Sequence, residues 1–127
     1  MPPVGKEHQE VVHQLFELRR QLELEPQLIH GDLTENVLFA DGLPPAVIDM
    51  APYRRPVGFA SGIVVGDALL WFDGDAQLAA SVSASIPMFG QHLVRALIYR
   101  LVTGGLFGAK HVPEGAEAAV RVASAIA

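Results

Sequence analysis

The chain has 127 residues and a mass of 13.6 kDa, which fits a single domain spanning 1–127 and excludes a multi-domain enzyme. Half of the residues are apolar, 18% are charged and the mean hydropathy is +0.31, the profile of a packed globule and not of a disordered tail. Fourteen acids against nine bases give a net charge of −5, which argues against nucleic acid as a partner, and the lack of cysteine rules out disulfides, Cys-ligated zinc, iron–sulfur clusters and thiol catalysis.

No stretch reaches the ~18 uncharged apolar residues of a membrane span. The longest candidate, 63–72, is broken by Gly66 and Asp67. Met1-Pro2-Pro3-Val4 lacks the basic region and apolar run of an export signal. The expectation is a cytoplasmic protein without a membrane partner.

In chain order, residues 6–24 predict a first helix. Val11, Val12, Leu15, Phe16, Leu18 and Leu22 recur at helical spacing, and Glu25-Pro26 ends the run. Residues 27–50 predict a loop and a small two-stranded ribbon: Asn36 to Phe39, the turn dipeptide Asp41-Gly42, then Ala46 to Asp49. So small a hairpin should lie on helices, because it is marginal alone. Residues 51–58 read as a proline-bounded loop carrying Arg54 and Arg55. A second helix, apolar almost all round and therefore buried, is predicted over 59–72. A short Ala/Ser-rich helix follows over 76–85. A stronger one begins at Pro87 and stops at Gly104-Gly105, and a last one runs from Pro113 to Ala127. Trp71, Phe72, Met88 and Phe89 read as core, and His8, His13 and His92 as solvated helix residues. The fold class expected is mainly α with a small β-hairpin.

The densest set of polar groups is His30-Gly31-Asp32-Leu33-Thr34-Glu35-Asn36, followed after the hairpin by Asp49. Pairing of the strands brings the Asn36 amide and the Asp49 carboxylate to the same end of the ribbon. Two hard oxygens of this kind suit Mg2+, which takes few protein ligands and completes its shell with water and phosphate. Asp32 stands a few residues away, where a carboxylate can accept a proton from an attacking hydroxyl. Base, amide ligand and carboxylate ligand are the parts that phosphoryl transfer asks of one half of a site.

From Leu28 to Phe39, and again from Ala46 to Asp49, the sequence resembles the catalytic and metal-binding loops of aminoglycoside phosphotransferase-like kinases, nearest to a largely actinobacterial branch. The resemblance extends over about residues 10–105. It implies the C-terminal lobe of the protein-kinase-like (α+β) fold, with Asp32 as catalytic base and Asn36 and Asp49 as Mg2+ ligands. His30 would brace the loop. Asp67, inside an apolar helix where a lone carboxylate costs several kcal/mol, would accept hydrogen bonds from the catalytic-loop backbone, or else sit at a helix bend exposed by Gly66. ATP would be the phosphoryl donor and a small-molecule hydroxyl the acceptor.

Three features depart from the family pattern: Asn36 follows Asp32 by four positions where five are usual, Met50 stands where aromatic residues or glycine-containing continuations are common, and Arg54-Arg55 stands where acidic or glycine-rich residues are common. The nucleotide-covering N-terminal lobe is absent from these residues, since only one helix is expected before His30 and neither lysine, Lys6 nor Lys110, lies in a strand pattern. The expected activity alone is therefore low or nil. The alternative is a non-catalytic binding or self-association module, with exposed apolar surface meeting an N-lobe partner or a second copy in a homodimer. A metal-dependent hydrolase is a third reading, weakened by the lack of a second His/Asp cluster.

Overall fold

The computed structural model describes residues 5–127; Met1-Pro2-Pro3-Val4, where no export signal is expected, lies outside the described residues. The described chain runs α1 (Lys6–Leu18), β1 (Gln27–His30), β2 (Val37–Leu38), β3 (Ala46–Val47), β4 (Pro52–Arg55), α2 (Val57–Trp71), α3 (Ala76–Ser83), α4 (Phe89–Leu106) and α5 (Ala116–Ile126). Among the described residues this is a mixed, mostly helical fold of five helices and two small antiparallel sheets. None of those helices is long and apolar enough to cross a membrane.

The apolar run of α2 makes it the central helix. It packs along α4, with α1 and α5 closing around them. Leu15, Val65, Leu69, Phe89, Leu93, Leu97 and Leu101 fill the main core, each contributing about 1.5–3 kcal/mol by leaving water. A smaller cluster, Ile29, Phe59, Ile63 and Ala96 with Tyr53 and Tyr99 against it, joins β1 and β4 to the two central helices.

Helix α1 ends six residues earlier than its periodicity predicts. Arg19 is extended (φ −71°, ψ 132°), and the buried Gln91 of α4 takes over the pairing there. Its Nε2 donates to the Leu18 carbonyl at 3.0 Å and its Oε1 accepts from the Arg20 amide at 2.5 Å. A side-chain amide thus satisfies backbone groups that another helical turn would have used.

The predicted loop over 51–58 instead contains β4, paired with β1 from Gln27↔Arg55 to His30↔Pro52. Pro52 stands at the first strand position, where its missing donor is tolerated. Strands β2 and β3 pair in the register Val37↔Val47 and Leu38↔Ala46, around a turn in which Gly42 has φ +75° and the Leu43 amide donates to Ala40.

Other expectations are corrected. The hairpin does not lie on helices: neither strand packs substantially on one, and Leu38, Phe39, Leu43 and Val47 are exposed. Trp71, Phe72 and Met88 are about half exposed, and only Phe89 of that set is core. His8 and His92 are buried. His8 shares the inward face of α1 with Leu15, two turns on, and the His92 ring fills the space that a Cβ at Gly58 would claim. Helix α4 starts at Phe89 and runs through Gly104-Gly105 to Leu106.

Candidate functional site

The segment that leaves β1 is closed into a circuit of four hydrogen bonds. The Asp32 amide donates to His30 Nδ1 at 2.9 Å, and Asn36 Nδ2 donates to the Asp32 carbonyl at 2.7 Å. The Ile48 amide donates to the Asn36 carbonyl at 2.9 Å. His30 Nε2 and the Ile48 carbonyl are 3.1 Å apart. Because Nδ1 already accepts, the proton lies on Nε2, which donates to Ile48. His30 is buried and acts as a brace linking β1 to the end of the hairpin.

The circuit also places the residues singled out from the sequence. The Ile48–Asn36 bond continues the β2–β3 register, so Asn36 and Asp49 share the open end of the hairpin. The four-residue spacing from Asp32 is accommodated by Glu35 in the left-handed region (φ 64°) and by the bond from Asn36 back to Asp32. Asp49 is left-handed as well (φ 47°), a conformation that costs a non-glycine residue about 1 kcal/mol and recurs where a side chain must be aimed. Asp49 is exposed and its carboxylate has no partner among the described residues; Asn36 is half-buried, and its Oδ1 has no partner there either. Gly31 owes its identity to packing: a Cβ there would lie 1.9 Å from the Tyr53 ring.

Behind this loop stands Arg100 of α4, which the sequence reading missed. Its Nε donates to Asp67 Oδ1 and its Nη2 to Asp67 Oδ2, both at 2.8 Å, and Nη2 also reaches Asp32 Oδ1 at 2.8 Å. The Thr34 hydroxyl donates to Asp67 Oδ2 at 2.5 Å. Asp67 is 3% exposed; it sits inside α2 and not at an exposed bend, and its donor from the loop after β1 is the Thr34 side chain, not the loop backbone. Burial alone would lower the pKa of Arg100, but the hydrogen bonds it donates to Asp67 and then to Asp32 reverse this and hold it above the ordinary arginine value. A carboxylate alone in an apolar helix demands a cation, and Arg100 is the one base within the apolar 96–106 stretch; that was the available signal. Beside it, Tyr99 and Tyr53 share a hydrogen bond at 2.6 Å, and burial followed by that bond pushes Tyr99 up to about 12.

Asp32 is about half exposed, with Oδ1 tied to Arg100 and Oδ2 unpartnered among the described residues. Two free oxygen donors, from Asn36 and Asp49, suit a hard cation that keeps water and phosphate in its shell. Among the described residues, no group of three or more His, Cys, Asp or Glu could hold a metal ion. The chain matches no protein-family model, no curated protein and no solved structure.

Proposed function

We propose that residues 28–50, with Asp67 and Arg100 behind them, form the C-lobe half of an ATP- and Mg2+-dependent small-molecule phosphotransferase site of the aminoglycoside phosphotransferase-like kind, working in the cytoplasm. The observation that supports this best is the closed hydrogen-bond circuit, which fixes three segments while leaving Asn36 Oδ1 and the Asp49 carboxylate without partners among the described residues. Asp32 is the group to accept the acceptor hydroxyl's proton through Oδ2, with Arg100 orienting it through Oδ1. Asn36 and Asp49 are the residues to hold Mg2+, which would supply charge neutralisation at the nucleotide phosphates. His30 and Asp67 are positioning residues. Groups that cover the nucleotide from the other side belong to further polypeptide, so turnover by residues 1–127 alone should be low or nil.

Mn2+ used as a paramagnetic substitute tests the site directly. The expected result is NMR broadening centred on the amides of Asp32–Asn36 and Ile48–Asp49, removed by Asp49→Ala and sharpened in its selectivity by added ATP. Broadening that Asp49→Ala leaves unchanged, or none at all, overturns the assignment.

Two observations favour a second reading, a non-catalytic self-association module: the apolar residues of the hairpin face solvent, and half of the Asp32 carboxylate is committed to Arg100.

A further inference from the structure

The seven arginines are unevenly placed. Arg100 and Arg121 pair with carboxylates. The other five, Arg19, Arg20, Arg54, Arg55 and Arg95, all line one cleft of about 840 Å³ between the segment after α1, the end of β4 and the middle of α4. No Asp or Glu lines it, and none of the five has a carboxylate partner among the described residues. In a chain with five more acids than bases, this separation concentrates positive charge on one concave surface.

The cleft is built and not merely bordered by mobile side chains. Arg95 Nη1 donates to Gln91 Oε1 at 3.0 Å and its Nη2 donates to the Arg20 carbonyl, so the same amide that ends α1 also fixes one wall. The Arg19 guanidinium lies 5.9 Å from the centre of the Phe16 ring. Phe59, Ile98 and Pro56 supply apolar wall, and His92, 1% exposed, also lines the cleft with a buried Nδ1 that has no partner among the described residues. Burial and then the charge of Arg19 push Arg95 below its ordinary value, as expected where cations meet without an anion between them.

We propose that this cleft is a binding site for a phosphorylated small molecule with an apolar or aromatic body. Guanidinium forks match the oxygens of phosphate in pairs. Several unpaired arginines favour a dianionic head over a monocarboxylate, and the apolar wall takes the remainder of the ligand. The volume lies within the roughly 300–1,000 Å³ of small-molecule sites. The site is separate from the Asp32 loop and does not depend on the phosphotransferase reading.

The test is calorimetric titration in EDTA, which removes any contribution from divalent metal, using phenyl phosphate, benzoate and benzyl alcohol as probes. Phenyl phosphate should bind with a Kd of about 1 mM or tighter; benzoate should bind at least about tenfold more weakly and benzyl alcohol not measurably. Affinity should fall as salt rises. Arg54→Ala/Arg55→Ala should weaken phenyl phosphate about tenfold with an unchanged Tm, because both side chains are exposed. Should that variant lose its fold, Arg54→Lys/Arg55→Lys keeps the charge, loses the fork and should bind at intermediate strength. Absence of phenyl phosphate binding to the wild type up to about 10 mM, equal binding by the arginine variants, or benzoate binding as tightly as the phosphate would each overturn the proposal.

Discussion

Arg100 serves two carboxylates with one guanidinium, and the two are not equivalent: Asp67 is buried within α2 while Asp32 is half in water. Breaking a buried pair from one side leaves an uncompensated charge, which typically costs about 3–5 kcal/mol, whereas replacing both partners by apolar groups often recovers it. Arg100→Met should therefore destabilise by roughly 3 kcal/mol in urea unfolding, and Asp67→Leu/Arg100→Met should regain at least half of that; a double variant as unstable as the single one would show that the pair is not the source. His92 gives a pH signature. Burial, then the charge of Arg95, lowers its pKa below the ordinary 6.5. The unfolded chain then binds a proton that the folded chain resists, so stability is intact above pH 6.5 and declines as the pH falls from there toward the folded value. His92→Gln should flatten the decline in Tm between about pH 7 and 5, and a variant whose Tm falls over that range as steeply as the wild type would refute this. At this scale, what is local in sequence was legible: His30, Asp32, Asn36 and Asp49 sit within one loop and one hairpin. Arg100 was not, because its pairing depends on the register with which α4 crosses α2, and no short-range spacing encodes that register.

The α2–α4 crossing, which sets that register, turns on Gly62. A Cβ there would lie 2.7 Å from the His92 carbonyl oxygen, backbone that cannot swing aside, whereas at Gly104 of α4 an added Cβ meets nothing within 4 Å. Intrinsic helix propensity alone favours alanine over glycine by about 1 kcal/mol at either place. The two substitutions should thus split in sign: Gly104→Ala raises stability by about 0.5–1 kcal/mol, and Gly62→Ala lowers it by about 1–3 kcal/mol through overpacking. Thermal unfolding of the two variants checks this, and a stabilising Gly62→Ala would mean that the helices do not meet as closely as described. The same contrast explains which elements the sequence revealed. Helix α2 was legible to within two residues because nearly every position in it is apolar. The end of α1 was not, since Gln91, more than 70 residues away, supplies the competing hydrogen bonds. Strand β4 was hidden because Pro52 and Pro56 make the segment read as a loop, and the partner that overrides this, β1, lies 20 or more residues upstream.

The molecule as a whole exposes 7916 Å², where a compact monomer of this mass should expose about 6,600 Å². The excess, roughly 1,300 Å², is larger than the ~800 Å² that each partner contributes to a standard interface. Apolar residues around the hairpin supply part of it: Phe39 is 78% exposed, Leu43 68% and Val47 55%. Several large apolar side chains exposed on one short hairpin favour an interaction surface over a bare monomer surface, and its two-stranded form gives it free backbone edges that a second copy can pair. Self-association through the hairpin is the expected behaviour of these 127 residues. Sedimentation equilibrium should show the average mass rising from monomer toward dimer with concentration. Phe39→Ser/Leu43→Ser should hold it at monomer without lowering Tm, because neither strand packs substantially on the helical core. A wild-type chain that stays monomeric at high concentration would refute this, as would a double variant that dimerises unchanged. A variant that loses Tm together with dimerisation would count against it too, since it would place the hairpin in the fold's own core.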